Sequence, residues 1–217
     1  MRLTSWFATY GPSYLNGLVG TALTALGASI GAILWGCGLL LVRLAGRRWG
    51  SGVVDAYVQV FRNTPVLLPI YLIYFGFPLV GLSWPAVVCG GLALVLQNGA
   101  YVSEILRGSF KAIERVQFDA ARSLGLSPWN TFRKIVLPQV LVYSLPALGN
   151  QVILVLKDTS LLSAIAVTEL TMQAKLLTEQ TGAAYEAFLV VALLYLALVF
   201  GAELAFRTAH RALHWSR

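Results

Sequence analysis

Five long apolar runs alternate with polar connectors along the chain, at residues 18–42, 53–80, 85–106, 135–167 and 184–206. Each run is long enough for a helix that crosses a bilayer, which needs about 20 apolar residues. Two of the connectors are longer than the others, at residues 107–134 and 169–183. The pattern predicts an all-α, polytopic transmembrane bundle of five spanning helices, in a single domain covering residues 1–217.

Composition places these runs in lipid rather than in a soluble core. Of the 217 residues, 58% are hydrophobic and 12% are charged, which is too little charge to cover the surface of a soluble domain. The net charge of +7 raises nucleic-acid binding as an alternative, but the basic residues flank apolar runs and do not form a basic face with interleaved aromatics. We therefore expect this chain to contact a lipid bilayer and no nucleic acid.

The Lys and Arg residues predict the orientation of the spans. They concentrate after the first run, after the third run and in the carboxyl-terminal tail. They are Arg43, Arg47 and Arg48; Arg107, Lys111, Arg115, Arg122, Arg133 and Lys134; and Arg207, Arg211 and Arg217. Because cytoplasmic connectors are enriched in Lys and Arg, these three regions are expected on the cytoplasmic side. Five spans then place the amino terminus outside and the carboxyl terminus in the cytoplasm.

Two of the apolar runs carry polar and ionisable residues at depth. Residues 62–65, Arg-Asn-Thr-Pro, begin roughly ten residues into the second run, about 15 Å from its cytoplasmic start at 1.5 Å per residue. The fourth run contains Pro146, Asn150, Gln151, Lys157 and Asp158. Ionisable groups are costly inside a bilayer and usually mark a functional site. Arg62, Lys157 and Asp158 have two interpretations: they bind a ligand, or they form a buried ion network that fixes helix packing.

Other polar residues indicate packing rather than chemistry. Gln97, Asn98 and Asn150 are expected to form hydrogen bonds between helices. His210 and His214 lie four residues apart but have no third metal ligand nearby. The chain also lacks the Gly-rich Lys-Ser/Thr loop that holds ATP phosphates. We predict no catalysis, no metal and no cofactor in this chain itself.

The third connector predicts short amphipathic helices that are broken at Gly125 and Pro128. One helix face is formed by the apolar residues Phe118, Ala121 and Leu124. Another face carries the charged residues Arg115, Asp119 and Arg122. The pattern fits either of two roles: docking on a protein partner, or lying at the lipid interface with Trp129 and Phe132 as anchors.

The same connector resembles the "EAA" loop of the permease family of ATP-binding-cassette (ABC) importers. The resemblance lies in the order and spacing of Asp119-Ala120-Ala121, Gly125 and Ile135-Val136-Leu137-Pro138. Asp119 stands where Glu is usual, and Val116 stands where Gly is usual. The resemblance implies that residues 107–138 form an ATPase-coupling loop, in which Asp119, Ala120, Ala121 and Gly125 contact an ATPase subunit. The small alanines would allow close approach of another surface, and Gly125 permits a backbone turn.

The likeness to this family extends from about residue 17 to residue 206. Residues 62–65, 101–108, 145–150 and 157–161 resemble the polar amino acid permeases. This implies a type I importer fold in the bacterial inner membrane and a second permease, homologous or identical. It also implies two ATPase subunits that carry the ATP and Mg²⁺, and an extracytoplasmic solute-binding protein that delivers the substrate.

An amino acid presents an ammonium and a carboxylate, and a site that dehydrates both must offer opposite charges. Arg62 is expected to bind the carboxylate and Asp158 the ammonium, with hydroxyls from Thr159 and Ser160. Gln151 precedes Asp158 by seven residues, which places both on nearly one helix face. A neutral Gln151 favours a glutamine-like substrate, with glutamate or aspartate next. The alternative function is a secondary transporter or channel-like protein without an ATPase partner.

Overall fold

The computed structural model describes residues 3–45 and 48–214, and every regular element within those ranges is helical. The α-helices are α1 (Leu3–Leu44), α2 (Arg48–Arg62), α3 (Leu67–Gly76), α4 (Ala86–Lys111), α5 (Arg115–Ser123), α6 (Pro128–Thr131), α7 (Leu137–Asp158), α8 (Leu170–Thr181) and α9 (Ala184–His214). Segments of 3₁₀-helix extend α3 and α7, at Phe77–Val80 and Thr159–Ile165, and a π-helical segment, Phe132–Val136, joins α6 to α7. Arg47 and Arg217 lie outside the described residues, as do the side chains of Arg48, His210 and His214.

Four helical stretches are long and apolar enough to cross a bilayer, and a broken pair of helices supplies the fifth span. The four are Trp6–Leu44, Ala86–Lys111, Pro128–Ile165 and Ala184–Thr208, and the pair is Gly50–Arg62 with Leu67–Val80. The predicted all-α bundle of five spans is confirmed. The first helix starts well before residue 18, because Trp6 and Tyr14 in the polar stretch are buried against α8 and α9.

The second span is bent by 105° between α2 and α3. Pro65 has no backbone N–H to donate and disfavours helical geometry at the residue before it. The side chains of the break satisfy carbonyls at the end of α2. Asn63 Nδ2 donates to the Gln59 carbonyl at 2.8 Å, and Thr64 Oγ1 donates to the Val60 carbonyl at 2.7 Å. The break is therefore built into the local sequence.

The second long connector, predicted at residues 169–183, lies between two candidate spans, and most of it is helix α8. Glu169 caps this helix: its carboxylate accepts from the backbone N–H of Thr171 at 2.8 Å and of Met172 at 2.6 Å. Gly182 ends it in the left-handed conformation, with φ +71°. The apolar face of α8 is short and packs on α1 and α9. Because the rest of the helix is polar, the sequence of this segment resembles that of a loop.

Helix α4 lies at the centre of the bundle, in contact with α1, α2, α3 and α7. Its most apolar stretch is 56% buried within the chain, whereas that of α9 is only 17% buried. Gln97 and Asn98 are each 2% exposed. The centre of the bundle is thus lined by polar groups of α4, which can hold the neighbouring helices by hydrogen bonds.

Candidate functional site

Arg62 is the last residue of α2, at the break in the second span. Its Nη1 lies 3.7 Å from Glu104 Oε2, and its guanidinium carbon lies 5.4 Å from the centre of the Tyr101 ring. Tyr101 also donates its hydroxyl to the Arg62 carbonyl at 3.1 Å. The Arg62 side chain is still 42% exposed. A guanidinium at this depth is stabilised by the ring face, by a carboxylate and by the carbonyl end of α2.

Glu104 on α4 is the centre of an ion cluster that sequence reasoning missed. Arg43 Nη1 and Arg107 Nη2 each donate to its carboxylate at 2.5 Å, and Arg43 also pairs with Asp55. The Glu104 side chain is 17% exposed. The available signal was an acidic residue within the third apolar run, since such residues need partners in a bilayer. The cluster joins α1, α2 and α4.

The predicted ion network of Arg62, Lys157 and Asp158 does not form. Among the described residues, the ion-pair partner of Arg62 is Glu104, and no ion pair includes Lys157 or Asp158. The spans carry Arg62 and Asp158 on different helices, and residues of α4 hold Arg62. The described residues therefore show no ion network among these three, and Glu104 is the ion-pair partner of Arg62 instead.

The expected hydrogen bonds between helices are present for two of the three residues. Gln97 Nε2 donates to the Thr64 carbonyl in the break at 2.7 Å. Asn98 Oδ1 accepts from Gln151 Nε2 at 2.6 Å, which joins α4 to α7. Asn150 is instead exposed, and lines a cavity of about 170 Å³ between α7 and α9. The side chain of Gln151 is thus buried, and its amide is hydrogen-bonded to Asn98. Its predicted contact with a substrate side chain stays a prediction.

Asp158 ends α7 and has a half-buried carboxyl. Within the described part of the chain it has no hydrogen-bond or ion-pair partner. Lys157 beside it is exposed, and Ser160 Oγ donates to the Lys157 carbonyl at 2.8 Å. Thr159, in contrast, is fully buried and donates to the Leu156 carbonyl at 2.7 Å. The structure therefore leaves Lys157, Asp158 and Ser160 accessible and turns Thr159 into the protein.

A cavity of about 380 Å³ lies between the end of α7 and helix α9. Its lining residues are Lys157, Ser160, Ala192, Tyr195, Leu196 and Val199. One wall is apolar, and the other carries an ammonium and hydroxyls. A cavity of this kind holds a small molecule by its shape and orients it by a few polar groups.

Tyr195, one of the lining residues of this cavity, connects α9 to the start of α8. Its hydroxyl donates to Glu169 Oε2 at 2.8 Å and lies 3.5 Å from Thr159 Oγ1. Glu169 is fully buried, and burial raises the pKa of its carboxyl, although hydrogen bonds from Thr171, Tyr195 and Met172 oppose that shift. Helix α8 and the end of α7 are thus joined through the polar groups of Glu169, Tyr195 and Thr159.

In the connector that follows α4, helix α5 presents one face inward and one outward. Phe118 packs on a cluster that contains Val136 and Val140, and Ala121 is 1% exposed. Asp119 and Ala120 face outward. Leu124 does not share the burial of Phe118 and Ala121: it is 78% exposed, because α5 ends at Ser123 and the chain turns away. The small size of Ala121 serves packing within this chain, whereas Ala120 lies open to a partner.

Gly125 makes the turn after α5, with φ +70°. Ser127 then caps α6, where its Oγ accepts from the Asn130 backbone N–H at 3.3 Å. Gln139 Nε2 on α7 donates to Gln117 Oε1 on α5 at 2.6 Å. Two amphipathic helices broken at Gly125 and Pro128 are present as predicted. This hydrogen bond joins α5 to the helix that carries Asp158.

Comparison with known proteins extends these observations to a family. Residues 28–214 match the family described as "Binding-protein-dependent transport system inner membrane component". The chain is 39% identical over 171 residues to the nopaline transport system permease protein NocM of Agrobacterium fabrum, covering 74% of this chain and 70% of that protein. It is 31% identical to the probable glutamine ABC transporter permease protein GlnM of Bacillus subtilis, covering 85% and 86%. It is 34% identical to the arginine ABC transporter permease protein ArtQ of Haemophilus influenzae, covering 89% and 92%.

Solved structures agree with the sequence relatives. A crystal structure of an amino acid ABC transporter with histidines matches with a TM-score of 0.91 and 30% identity, covering 98% of this chain and 99% of that chain. The MetNI methionine ABC transporter in an inward-facing conformation shares the fold, with a TM-score of 0.75 and 19% identity over 92% of this chain. Membership of an ABC importer implies ATPase and substrate-binding partners, and the apolar helices of this chain fit a multi-pass protein of the inner membrane. This chain therefore belongs to the binding-protein-dependent transport system inner membrane component family, as the multi-pass permease component of an amino acid ABC importer.

Proposed function

We propose that this chain forms the translocation pathway for a polar amino acid, with a glutamine-like substrate favoured and glutamate or aspartate next. The observation that carries the proposal is the half-buried carboxyl of Asp158, which has no partner among the described residues and directly follows Lys157, a lining residue of the cavity between α7 and α9. A carboxylate without a partner at this depth is costly unless a cation arrives to neutralise it. The α-ammonium of an amino acid is such a cation.

The other half of a zwitterion needs a positive group. Lys157 is exposed on the same cavity, and Arg62 is 42% exposed at the break in the second span. Arg62 can form a bidentate pair with a carboxylate, whereas Lys157 offers a point charge. Ser160 adds a hydroxyl at the cavity wall. Thr159 and Gln151 support this site from behind, since their polar groups bond within the protein.

The small number of free carboxyls in the protein favours a substrate with a neutral side chain. Near the cavity, the second acidic group is Glu169, which is fully buried and accepts three hydrogen bonds. A cationic substrate would need a free carboxylate for its side chain in addition to Asp158 for its ammonium. Among the described residues at the end of α7, Asp158 supplies the one carboxyl that is without a partner. Glutamine carries a single ammonium and a single carboxylate, and this pair of charges suffices for it.

The exposed surface of α5 supports an ATPase partner. Asp119, Ala120 and the turn at Gly125 point away from the bundle at the end where the basic connectors lie. We place this end in the cytoplasm, the amino terminus outside and the carboxyl terminus in the cytoplasm. Two ATPase subunits, which carry ATP and Mg²⁺, a second permease and an extracytoplasmic solute-binding protein complete the proposed assembly. This chain then acts without catalysis of its own, as one transmembrane domain with its coupling loop at residues 107–138.

Reconstitution in proteoliposomes with the ATPase and binding protein tests the substrate. Uptake of labelled glutamine should require ATP, and unlabelled glutamine should compete better than arginine or lysine. Stronger competition by arginine or lysine would contradict the neutral-substrate proposal. Uptake that follows an ion gradient without ATP would favour secondary transport.

The role of Asp158 is tested by two variants. Asp158→Asn should reduce uptake at least tenfold, because an ammonium loses its counter-charge, a difference of about 1.4 kcal/mol or more. Asp158→Glu keeps the charge and should retain more activity. Copurification of the ATPase with both variants serves as the assembly control. Loss of the ATPase from Asp158→Asn would assign this residue to packing.

A further inference from the structure

Arg62 is the most loosely held member of the ion cluster around Glu104. Its nearest approach to that carboxylate is 3.7 Å, which is too long for a hydrogen bond. Its side chain is 42% exposed, whereas that of Arg43 is 10% exposed. Charges exposed at membrane depth face a water-filled path or a protein partner rather than lipid. Arg62 therefore has both the freedom and the surroundings to meet a second anion.

Glu104 does not depend on Arg62. Arg43 occupies its Oε1 at 2.5 Å, and Arg107 occupies its Oε2 through Nη2 at 2.5 Å and through Nε at 3.2 Å. Both carboxylate oxygens stay bonded if the Arg62 guanidinium moves away. The cluster also contains three guanidiniums and two carboxylates, those of Asp55 and Glu104. One positive charge of the cluster is thus left for an additional anion.

The backbone beneath Arg62 is fixed while its side chain is loose. Tyr101 donates its hydroxyl to the Arg62 carbonyl at 3.1 Å, and Gln97 donates to the Thr64 carbonyl at 2.7 Å. Both donors belong to α4, which also carries Glu104. The break is therefore held at a constant position relative to Glu104. A rotation of the guanidinium is enough to change its partner, and no helix needs to move.

We propose that Glu104 is the resting counter-ion of Arg62, and that Arg62 exchanges it for the α-carboxylate of a substrate on the cytoplasmic half of the pathway. This inference rests on the proposed function and adds Glu104 as a residue that sets substrate affinity without touching the substrate. The exchange replaces one carboxylate by another, so it costs little free energy in either direction. A pathway needs such balance, because a site that binds too tightly does not release.

A double-mutant cycle tests the exchange. Glu104→Gln preserves size and an acceptor oxygen for Arg43 and Arg107 but removes the charge that competes for Arg62. The dissociation constant of labelled L-glutamine should fall roughly two- to fivefold, the range of an exposed ion pair, in the purified permease–ATPase complex without binding protein. The rate of uptake with saturating, loaded binding protein should fall as well. In an Arg62→Gln background, Glu104→Gln should change neither quantity.

Asp55→Asn is the matched control, since it removes the other carboxylate of the cluster and leaves Glu104 in place. It should leave the dissociation constant of L-glutamine unchanged. Equal effects of Glu104→Gln and Asp55→Asn, or an equal effect of Glu104→Gln with and without Arg62, would overturn the exchange and assign Glu104 to helix packing.

A second measurement does not depend on the folding of a Glu104 variant. The unaltered complex should bind L-glutamine more tightly than its α-amide, which lacks the carboxylate, and Arg62→Gln should reduce that preference. An unchanged preference would overturn the inference while leaving amino acid import intact. Failure of the unaltered transporter to import any amino acid would instead contradict the proposed function itself.

Discussion

The Tyr195 hydroxyl donates to the buried Glu169 carboxylate at 2.8 Å and thereby ties the middle of α9 to the first turn of α8. The same carboxylate caps α8 through the backbone N–H groups of Thr171 and Met172. A fully buried acid is tolerated here because each of its oxygens has a donor. The hydrogen bond between Tyr195 and Glu169 thus holds α8 against α9.

Tyr195→Phe is expected to lower the free energy of unfolding by about 1–2 kcal/mol, since a buried carboxylate loses one of its donors. Thermal denaturation of the purified protein in detergent measures the change. Tyr185→Phe is the control because Tyr185 is 77% exposed, and it should have no measurable effect. Equal melting temperatures for Tyr195→Phe and the unaltered protein would show that the hydrogen bond contributes nothing.

The pKa of Glu169 predicts a pH dependence with a definite sign. Burial raises this pKa above its ordinary value of 4.5. A raised pKa means that the folded chain binds the proton more tightly than the unfolded chain does. The stability contribution is therefore fully present below the unfolded pKa and is lost as pH rises through the folded pKa. Glu169→Gln should remove this dependence.

Melting temperatures measured from about pH 4 to pH 8 follow that contribution. The advantage of the unaltered protein over Glu169→Gln should shrink as the pH rises. Glu179→Gln changes an exposed carboxyl on the same helix and should run parallel to the unaltered protein. An advantage that grows with pH would contradict the sign of the shift.

Gly20→Ala tests the close approach of α1 to the segment that precedes α8. A Cβ at Gly20 would lie 2.2 Å from the Thr168 carbonyl oxygen, a backbone atom that cannot rotate away. We expect a loss of about 1–3 kcal/mol from overpacking, visible as a lower melting temperature. Gly27→Ala on the same helix meets no atom within 4 Å and should be neutral or slightly stabilising. Similar melting temperatures for both variants would refute the close contact.

Gly125→Ala tests the turn that follows α5. The site is open, since a methyl group added there would meet no atom within 4 Å, but the φ of +70° costs an L-residue about 1–2 kcal/mol. We expect a distorted loop and reduced substrate-stimulated ATP hydrolysis, with normal membrane insertion. Gly91→Ala, in helical α4 and equally open, lies outside the coupling loop and should leave hydrolysis unchanged. Undiminished hydrolysis by Gly125→Ala and by a bulkier Gly125→Val would remove this turn from the coupling surface.

Much of the architecture was predictable because a bilayer imposes it locally. An apolar run of sufficient length must be a helix, and Pro65 after Thr64 interrupts one, so the spans and the break follow from neighbouring residues alone. The amphipathic helix at Asp119 was predictable for the same reason. Helix α8 was not, because its packing face is short and its partners, Trp6 and Tyr14, lie more than 150 residues earlier in the chain.

The candidate site shows the same division. The sequence by itself predicted that Arg62 and Asp158 stand at membrane depth, since each lies within a long apolar run and an ionisable group there demands a partner. Only the tertiary structure decided which partner each one has: Glu104 lies beside Arg62, Asn98 takes the amide of Gln151, and Asp158 has no partner among the described residues. Periodicity along one helix places a side chain on a face. Which helix meets that face depends on the packing of the whole bundle.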